Sequence, residues 1–179
     1  LDILRFRPGE LSGIKGISLD KAIRIGQSFA EQNELREVVM FFQEYGISPT
    51  YSARIYKIFG TNTIDKIRSN PYRLADEVFG IGFRTADRIA KNLGTDPLSK
   101  HRLCSGIKYV LSQGALNGHV YIPDTQLKEL SAQLLEVNIG DIKDTLTVLM
   151  MDRSICVENT DDYRRVYLSS FYNAEISVC

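Results

Sequence analysis

The chain has 179 residues, of which 44% are hydrophobic and 25% charged, a composition typical of a soluble globular protein with one or two domains. No apolar run approaches the ~20 residues that a membrane span needs, no signal peptide is visible, and three widely spaced cysteines with two histidines argue against a disulfide framework or a zinc site. The net charge is zero, but residues 1–100 hold 15 Lys/Arg against 12 Asp/Glu, whereas residues 101–179 hold 7 against 10. The first part is therefore the better candidate for contact with nucleic-acid phosphates.

Two expectations concern the cell and the parent protein. Cysteines without partners fit a reducing compartment, so we expect a cytoplasmic protein that lies in no membrane. Because the chain begins with Leu1 rather than Met, we also expect it to be a piece of a longer protein.

Residues 1–97 are predicted to form tandem helix–turn–helix units. Gly16–Ile25 aligns with Gly80–Ile89 at an offset of 64 residues, with Gly, Ile, Ala, Arg and Ile in the same places. A weaker copy, Gly46–Ile55, lies between them, and its Ala53 stands one place late. Each turn glycine allows positive φ, and the apolar residue after it is expected in the core. Between these units, Glu34–Tyr45 is predicted to be an amphipathic helix of its own.

Residues 98–170 are predicted to form a small winged-helix-like module, so that the chain as a whole is mainly α. A helix is expected over His101–Leu116, a short strand at residues 120–122, and helices over residues 123–135 and 141–151. Two strands, residues 154–158 and Arg164–Leu168, are joined by an acidic turn, which argues against a DNA-binding wing and favours a packing role. His119 is interpreted as a turn or packing residue, and residues 171–179 as a linker.

The glycine turns carry a family resemblance. The spacing of apolar residue, Gly, Ala and Ile in Gly80–Ala90 is that of the helix-hairpin-helix motif. Together with Asn70–Asp76 before it, this string resembles the N-terminal region of RecD/TraA-type helicases. The strings Phe41–Ser48, Gly118–Pro123 and Val166–Glu175 are similar to the same family, so the resemblance covers nearly the whole chain.

The resemblance implies DNA as the partner, single-stranded or at a junction, bound through its backbone without reading sequence. Amides at the start of the second helix of each hairpin would hold a phosphate oxygen, and nearby cations would add attraction. The last hairpin is the best candidate and the middle one is expected to be structural. The candidate DNA-binding residues are Gly80, Gly82, Arg84, Thr85 and Arg88 in the last hairpin, with Lys15, Gly16, Ser18 and Lys21 in the first.

Catalysis is not expected in this chain. It contains no Gly-Lys pair, so no Walker-type loop for ATP can form. By resemblance, ATP and Mg²⁺ belong to motor domains elsewhere in a parent 5′→3′ helicase of DNA repair or recombination. The acidic residues Asp65, Asp76, Glu77 and Asp87 are interpreted as solvated, not as a nuclease site.

Two alternatives stay open. A DNA glycosylase would need a catalytic Asp after the hairpin, and Asp96 follows more closely than that family's pattern, with no Trp or evident pocket for a flipped base. A protein-interaction scaffold, with hairpins that dock onto the motor or onto a partner and never touch DNA, is the second alternative. A salt-dependent DNA titration separates it from the DNA-binding hypothesis.

Overall fold

The structure is a computed structural model that describes residue 3 and residues 7–176. It divides the chain into two compact units, one up to Ser69 and one from Asn70 onward. Within the described residues, no helix is both long enough and apolar enough to cross a membrane.

The first unit is helical. A 3₁₀ helix, Pro8–Gly13, begins at a proline, whose fixed φ suits the first turn of a helix. Three α-helices then follow, namely α1 (Leu19–Gln43), α2 (Pro49–Phe59) and α3 (Thr63–Ser69). Fully buried side chains of this unit come from each α-helix, namely Val38, Phe42, Ile55 and Ile67. The Glu34 carboxylate accepts hydrogen bonds from the Tyr56 hydroxyl at 3.2 Å and the Asn62 amide at 2.6 Å, and so ties α1 to α2 and to the loop before α3.

Helix α1 is longer than predicted. The separate helix predicted over Glu34–Tyr45 is the second half of one continuous helix of 25 residues. Residues 27–43 contain neither Gly nor Pro, so nothing in the local sequence interrupts the hydrogen-bond ladder after the first hairpin. The helix ends where Gly46, with φ of 73°, turns the chain toward α2.

The middle hairpin repeats the first one more closely than the sequence alignment indicated. Ser52 stands six residues after Gly46, as Ala22 stands six after Gly16, and both small side chains are fully buried. Ala53, which the alignment treated as a displaced equivalent, is exposed. Ser52 takes the place of alanine because its hydroxyl donates to the Ser48 carbonyl at 3.1 Å, which satisfies the buried oxygen.

The second unit begins with the last hairpin. It comprises the short helix α4 (Arg73–Glu77), a turn and α5 (Phe83–Asn92), followed by the longer helix α6 (Lys100–Leu116). The Phe83 ring stacks between Tyr72, at 6.0 Å between ring centroids, and Tyr109, at 5.4 Å. The last hairpin therefore packs with α6, which explains why the compact boundary falls after Ser69 and not near residue 97. Repeated sequence and compactness are different criteria, and the predicted grouping of residues 1–97 stays a prediction.

The rest of the second unit has the element order of a winged helix, which confirms the predicted fold class. After α6 come β1 (Ile122–Pro123), α7 (Asp124–Leu135), α8 (Ile139–Met151), β2 (Ile155–Asn159), β3 (Arg164–Leu168) and α9 (Ser169–Ile176). The sheet formed by these strands is antiparallel, with β3 between β1 and β2, and Val166 pairs with both Ile122 and Val157.

Two details of this module bear on the predictions. A Cβ atom on Gly106 would lie 2.6 Å from a Leu135 methyl carbon, so glycine allows α6 and α7 to approach closely. Residues 171–176, predicted as part of a linker, belong to α9, whose Tyr172 ring contacts Tyr167 edge-on at 5.2 Å. A helical segment can still connect domains, so the linker role stays a prediction, and residues 177–179 lie outside the described residues.

Candidate nucleic-acid interface

The turn of the last hairpin uses its two glycines differently. Gly80 has φ of 92°, a conformation that residues with a Cβ rarely adopt. Gly82 has φ of −93° and ψ of 171°, ordinary extended backbone, and an ideal Cβ there would meet no atom within 4 Å. Gly80 is therefore required by the backbone, whereas Gly82 is not. Between them, Ile81 is buried, as the repeat predicted.

Gly82 leaves the start of α5 without a side-chain cap. It occupies the N-cap position, and its carbonyl accepts from the amides of Thr85 and Ala86 at 3.1 and 3.2 Å. The first amides of any helix have no acceptor inside the helix, and here no side-chain oxygen replaces it. The N-terminal end of α5 thus presents uncovered amide donors and the positive end of the helix dipole.

The equivalent ends in the other two hairpins are capped. The Ser18 hydroxyl accepts from the Lys21 amide at 3.3 Å, and the Ser48 hydroxyl accepts from the Tyr51 amide at 3.4 Å. Serine is among the best N-cap residues because its oxygen satisfies one of these donors. Lys15, Gly16, Ser18 and Lys21 all lie exposed at the start of α1, and Gly16 has φ of 93°, but this helix end is already partly satisfied.

One face of α5 is basic and exposed. Arg84 and Arg88, both predicted, are joined by Lys91, which the sequence reasoning missed although its spacing of seven from Arg84 places it on the same helical face. With a rise of about 1.5 Å per residue, these three cations extend over roughly 10 Å along the axis. Thr85, the remaining predicted residue, is half-buried.

A shallow groove of about 360 Å³ runs beside this face. It is lined by Phe83, Arg84, Asp87, Arg88, Lys91, Asn92 and Leu134. The Lys91 ammonium lies 3.2 Å from the Asp87 carboxylate, and its side chain is still 62% exposed. Arg84, Arg88 and Lys91 together are called the α5 basic face below.

The opposite face of α5 is fixed by a buried ion pair. The Asp87 carboxylate accepts from Arg102 Nε at 2.8 Å and from the Tyr72 hydroxyl at 2.8 Å. Arg102 also donates to the carbonyls of Pro97 and Leu135, at 3.0 and 2.9 Å, and so joins α5, α6 and the end of α7. The interpretation of Asp87 as a solvated surface residue was wrong, because Arg102, fifteen residues later in the chain, encloses it.

The surroundings of Asp87 determine its ionisation. Burial alone would raise the pKa of Asp87, but hydrogen bonds from Arg102 and Tyr72 outweigh it and the pKa is lowered. Burial and the hydrogen bond to Asp87 raise the pKa of Tyr72 well above its usual value. The network therefore stays in its ion-paired form at neutral pH and orients α5.

The winged-helix-like module offers a less basic surface. Asp161 and Asp162 lie exposed in the turn between β2 and β3, as the sequence indicated. His119 is exposed in a local turn, and its amide donates to the Gly114 carbonyl at 2.9 Å after the end of α6. Within the described residues, no cluster of His, Cys, Asp and Glu could hold a metal ion.

Comparisons with known proteins agree with this architecture. The family model for the helix-hairpin-helix domain of the ATP-dependent RecD2 DNA helicase matches residues 31–121, half of the chain. A relative from Deinococcus radiodurans, named ATP-dependent RecD2 DNA helicase, is 26% identical over 143 residues. That alignment covers 79% of this chain but only 20% of the relative, so the chain spans about a fifth of that protein. The chain belongs to the helix-hairpin-helix domain family of ATP-dependent RecD2 DNA helicases.

Proposed function

We propose that this chain is a DNA-binding accessory region of a RecD2-type helicase, which holds backbone phosphates on the last hairpin without reading base sequence. The observation that carries the proposal is the uncapped start of α5, which continues directly into the α5 basic face. A phosphate oxygen accepts hydrogen bonds from the free amides, and the next phosphates along a strand meet Arg84, Arg88 and Lys91.

The fold supports this role by keeping the hairpin rigid. Buried Ile81 and the Phe83 stack hold the turn, and the Asp87–Arg102 pair holds the opposite face of α5. Because the donors are already in place, little conformational entropy is lost when a phosphate binds. Such contacts position a protein on DNA but carry no sequence information.

The activity of the whole protein is part of the same proposal. The relative's name implies ATP-driven DNA unwinding, which we expect to run 5′→3′ in a parent protein of DNA repair or recombination in the cytoplasm. ATP and Mg²⁺ would bind motor domains of the same protein, because this chain lacks the Gly-Lys pair of a phosphate-binding loop. The present chain would then position DNA for that motor.

Arg84 provides the test. Sequence-independent binding has a dissociation constant of roughly 10⁻⁴–10⁻⁶ M and weakens as salt rises. Arg84→Ala should weaken binding about equally for all DNA sequences and reduce the slope of log K against log salt by about one. Arg84→Glu should weaken it further. The measurement is fluorescence anisotropy of labelled oligonucleotides at several salt concentrations.

Lys143→Glu is the matched control for the charge change. Lys143 is exposed on α8 in the same unit, and its substitution alters the net charge as much as Arg84→Glu does. The control variant should bind nearly as the parent does. Equal binding by parent and Arg84→Glu at low salt, with both variants folded, would remove this hairpin from the DNA path.

A second candidate function is the protein-interaction scaffold, which one observation favours. A mainly apolar groove of about 730 Å³ lies between the end of α6 and α7, and Leu116 beside it is 79% exposed. Exposed apolar surface of this kind often marks a docking site. In the scaffold function, the DNA titration shows no salt-dependent binding for the parent chain or for any variant.

A further inference from the structure

Phe79 stands in the turn of the last hairpin, directly before Gly80. Its side chain is 90% exposed, and among the described residues no large hydrophobic side chain is more exposed. Full burial of a phenylalanine is worth about 1.5–3 kcal/mol, which this position does not collect. The ring is therefore not placed there by the packing of this chain.

The turn that carries Phe79 is well anchored. Val78 before it and Ile81 after it are both buried, and the Ile81 amide donates to the Val78 carbonyl at 3.1 Å. The exposed ring thus stands on fixed backbone, not on a mobile loop tip. A group presented in this way pays little entropy when it makes a contact.

The other hairpins do not present an aromatic ring in this manner. Lys15 precedes Gly16, and Tyr45 precedes Gly46 but packs edge-on against Phe41 with 5.2 Å between ring centroids. An exposed ring before the turn glycine thus coincides with the one helix start of these three that lacks a serine cap. Both features belong to the hairpin that carries the α5 basic face.

The charge beside Phe79 indicates which partner suits the ring. An apolar protein surface would gain nothing from Arg84, Arg88 and Lys91, whereas a nucleic acid offers a phosphate for the cations and a base for the ring. In a duplex the bases stack on each other and their faces are closed to a side chain. In a single strand the base faces are open, and stacking on an aromatic side chain tolerates any base.

We propose that Phe79 stacks on an unpaired base of single-stranded DNA while the α5 basic face holds the adjoining phosphates, so that the last hairpin prefers single strand to duplex. The inference rests on the proposed function, which supplies the backbone contact. It adds a base contact and a preference for one form of DNA, neither of which phosphate binding requires.

Affinity measurements with three ligands test the stacking contact. The ligands are an oligothymidylate, an abasic strand of the same length, and a duplex of that length, each titrated against the 179-residue chain at low salt. Phe79→Ala should weaken binding of the oligothymidylate roughly fivefold or more, because stacking is worth about 1–3 kcal/mol per base. Binding of the abasic strand and of the duplex should change by less than about twofold. Leu116→Ala, which removes an equally exposed apolar side chain elsewhere in the unit, should leave all three affinities unchanged.

A fluorescence signal tests the contact directly. The chain contains no tryptophan, so Phe79→Trp creates a single indole at the hairpin. Its emission should be quenched by the oligothymidylate and not by the abasic strand or the duplex. Leu116→Trp is the matched reporter, and its emission should not respond to any of the three ligands.

The outcomes separate this inference from the function on which it rests. If Arg84→Glu weakens all three ligands while Phe79→Ala changes none, the phosphate contact stands and the stacking inference is wrong. Equal loss for single strand and duplex in Phe79→Ala also overturns it, since stacking cannot act on closed base faces. If Arg84→Glu changes nothing, the proposed function fails, whatever Phe79 does.

Discussion

Gly82, Ser18 and Ser48 occupy the same place, two residues after the turn glycine of each hairpin. In two hairpins the serine hydroxyl covers a helix amide, and in the third glycine leaves it open. One atom therefore distinguishes a helix end that is satisfied by its own chain from one that can accept a phosphate. The chain contains its own comparison for the effect of that atom.

Gly82→Ser should close the open end. Extended backbone and free space accommodate the side chain, so the free energy of unfolding should stay within a few tenths of a kcal/mol of the parent or rise. DNA affinity should fall because the hydroxyl competes for an amide that a phosphate would use. Thermal unfolding and anisotropy titration measure the two effects separately. A variant that is equally stable and binds DNA as the parent does would contradict the role of these amides.

Gly80→Ala is the contrasting substitution in the same turn. Because Gly80 has φ of 92°, a Cβ strains the backbone, and a loss of about 1 kcal/mol or more in stability is expected. The two glycines look equivalent in the sequence, and only backbone geometry separates them. The sequence likewise pointed to Arg84 and Arg88 through their repeat positions. It gave no sign of Phe79, since solvent exposure of an apolar residue depends on the fold.

At the scale of elements, local patterns predicted most helices and strands to within a few residues. Turn glycines and N-cap residues mark the hairpins, and β3 falls on the predicted Arg164–Leu168. Prediction failed where distant residues decide the outcome. The continuous α1 replaced two predicted helices because the loop expected between them contains good helix formers, and Asp87 is buried because Arg102 reaches it from α6.

The Asp87–Arg102 pair should be essential for the packing of α5 on α6. Asp87→Asn leaves the Arg102 charge buried without its counter-ion, and loss of one partner of a buried pair costs about 3–5 kcal/mol. Arg102→Met should cost a similar amount, and the double variant less than the sum of the two. Denaturant unfolding of the four proteins measures this coupling, and strict additivity would show that the two side chains do not interact.

The same pair sets a pH dependence. Since the pKa of Asp87 is lowered in the folded chain, its contribution is complete above the unfolded value of about 4 and is lost as pH falls through the folded pKa. The gap in melting temperature between parent and Asp87→Asn should therefore narrow in acid. A gap that stays constant down to strongly acidic pH would show that the carboxylate's charge is not what stabilises the parent.

At the scale of the whole molecule, sequence repeats and compact units divide the chain differently. The repeats run across residues 1–97, whereas the compact division falls after Ser69 and assigns the last hairpin to the winged-helix-like unit. The first unit holds the two capped hairpins. The second holds the uncapped helix start, the α5 basic face and Phe79, so the features proposed to bind DNA belong to one unit.

Separation of the two units should therefore separate the proposed function. Residues 70–179 carry their own buried side chains on α4 to α8, among them Leu74, Ile89, Ile107, Leu127 and Ile142, so we expect this segment to fold alone, which circular dichroism would verify. It should retain single-stranded DNA affinity to within about threefold of the whole chain, since each lost phosphate contact outside it would lower affinity and steepen no salt slope. Residues 1–69, with serine caps on both helix starts, should bind much more weakly in the same anisotropy assay. If residues 1–69 held the affinity and folded residues 70–179 did not, the first hairpin, with Lys15 and Lys21, would become the DNA site in place of the last.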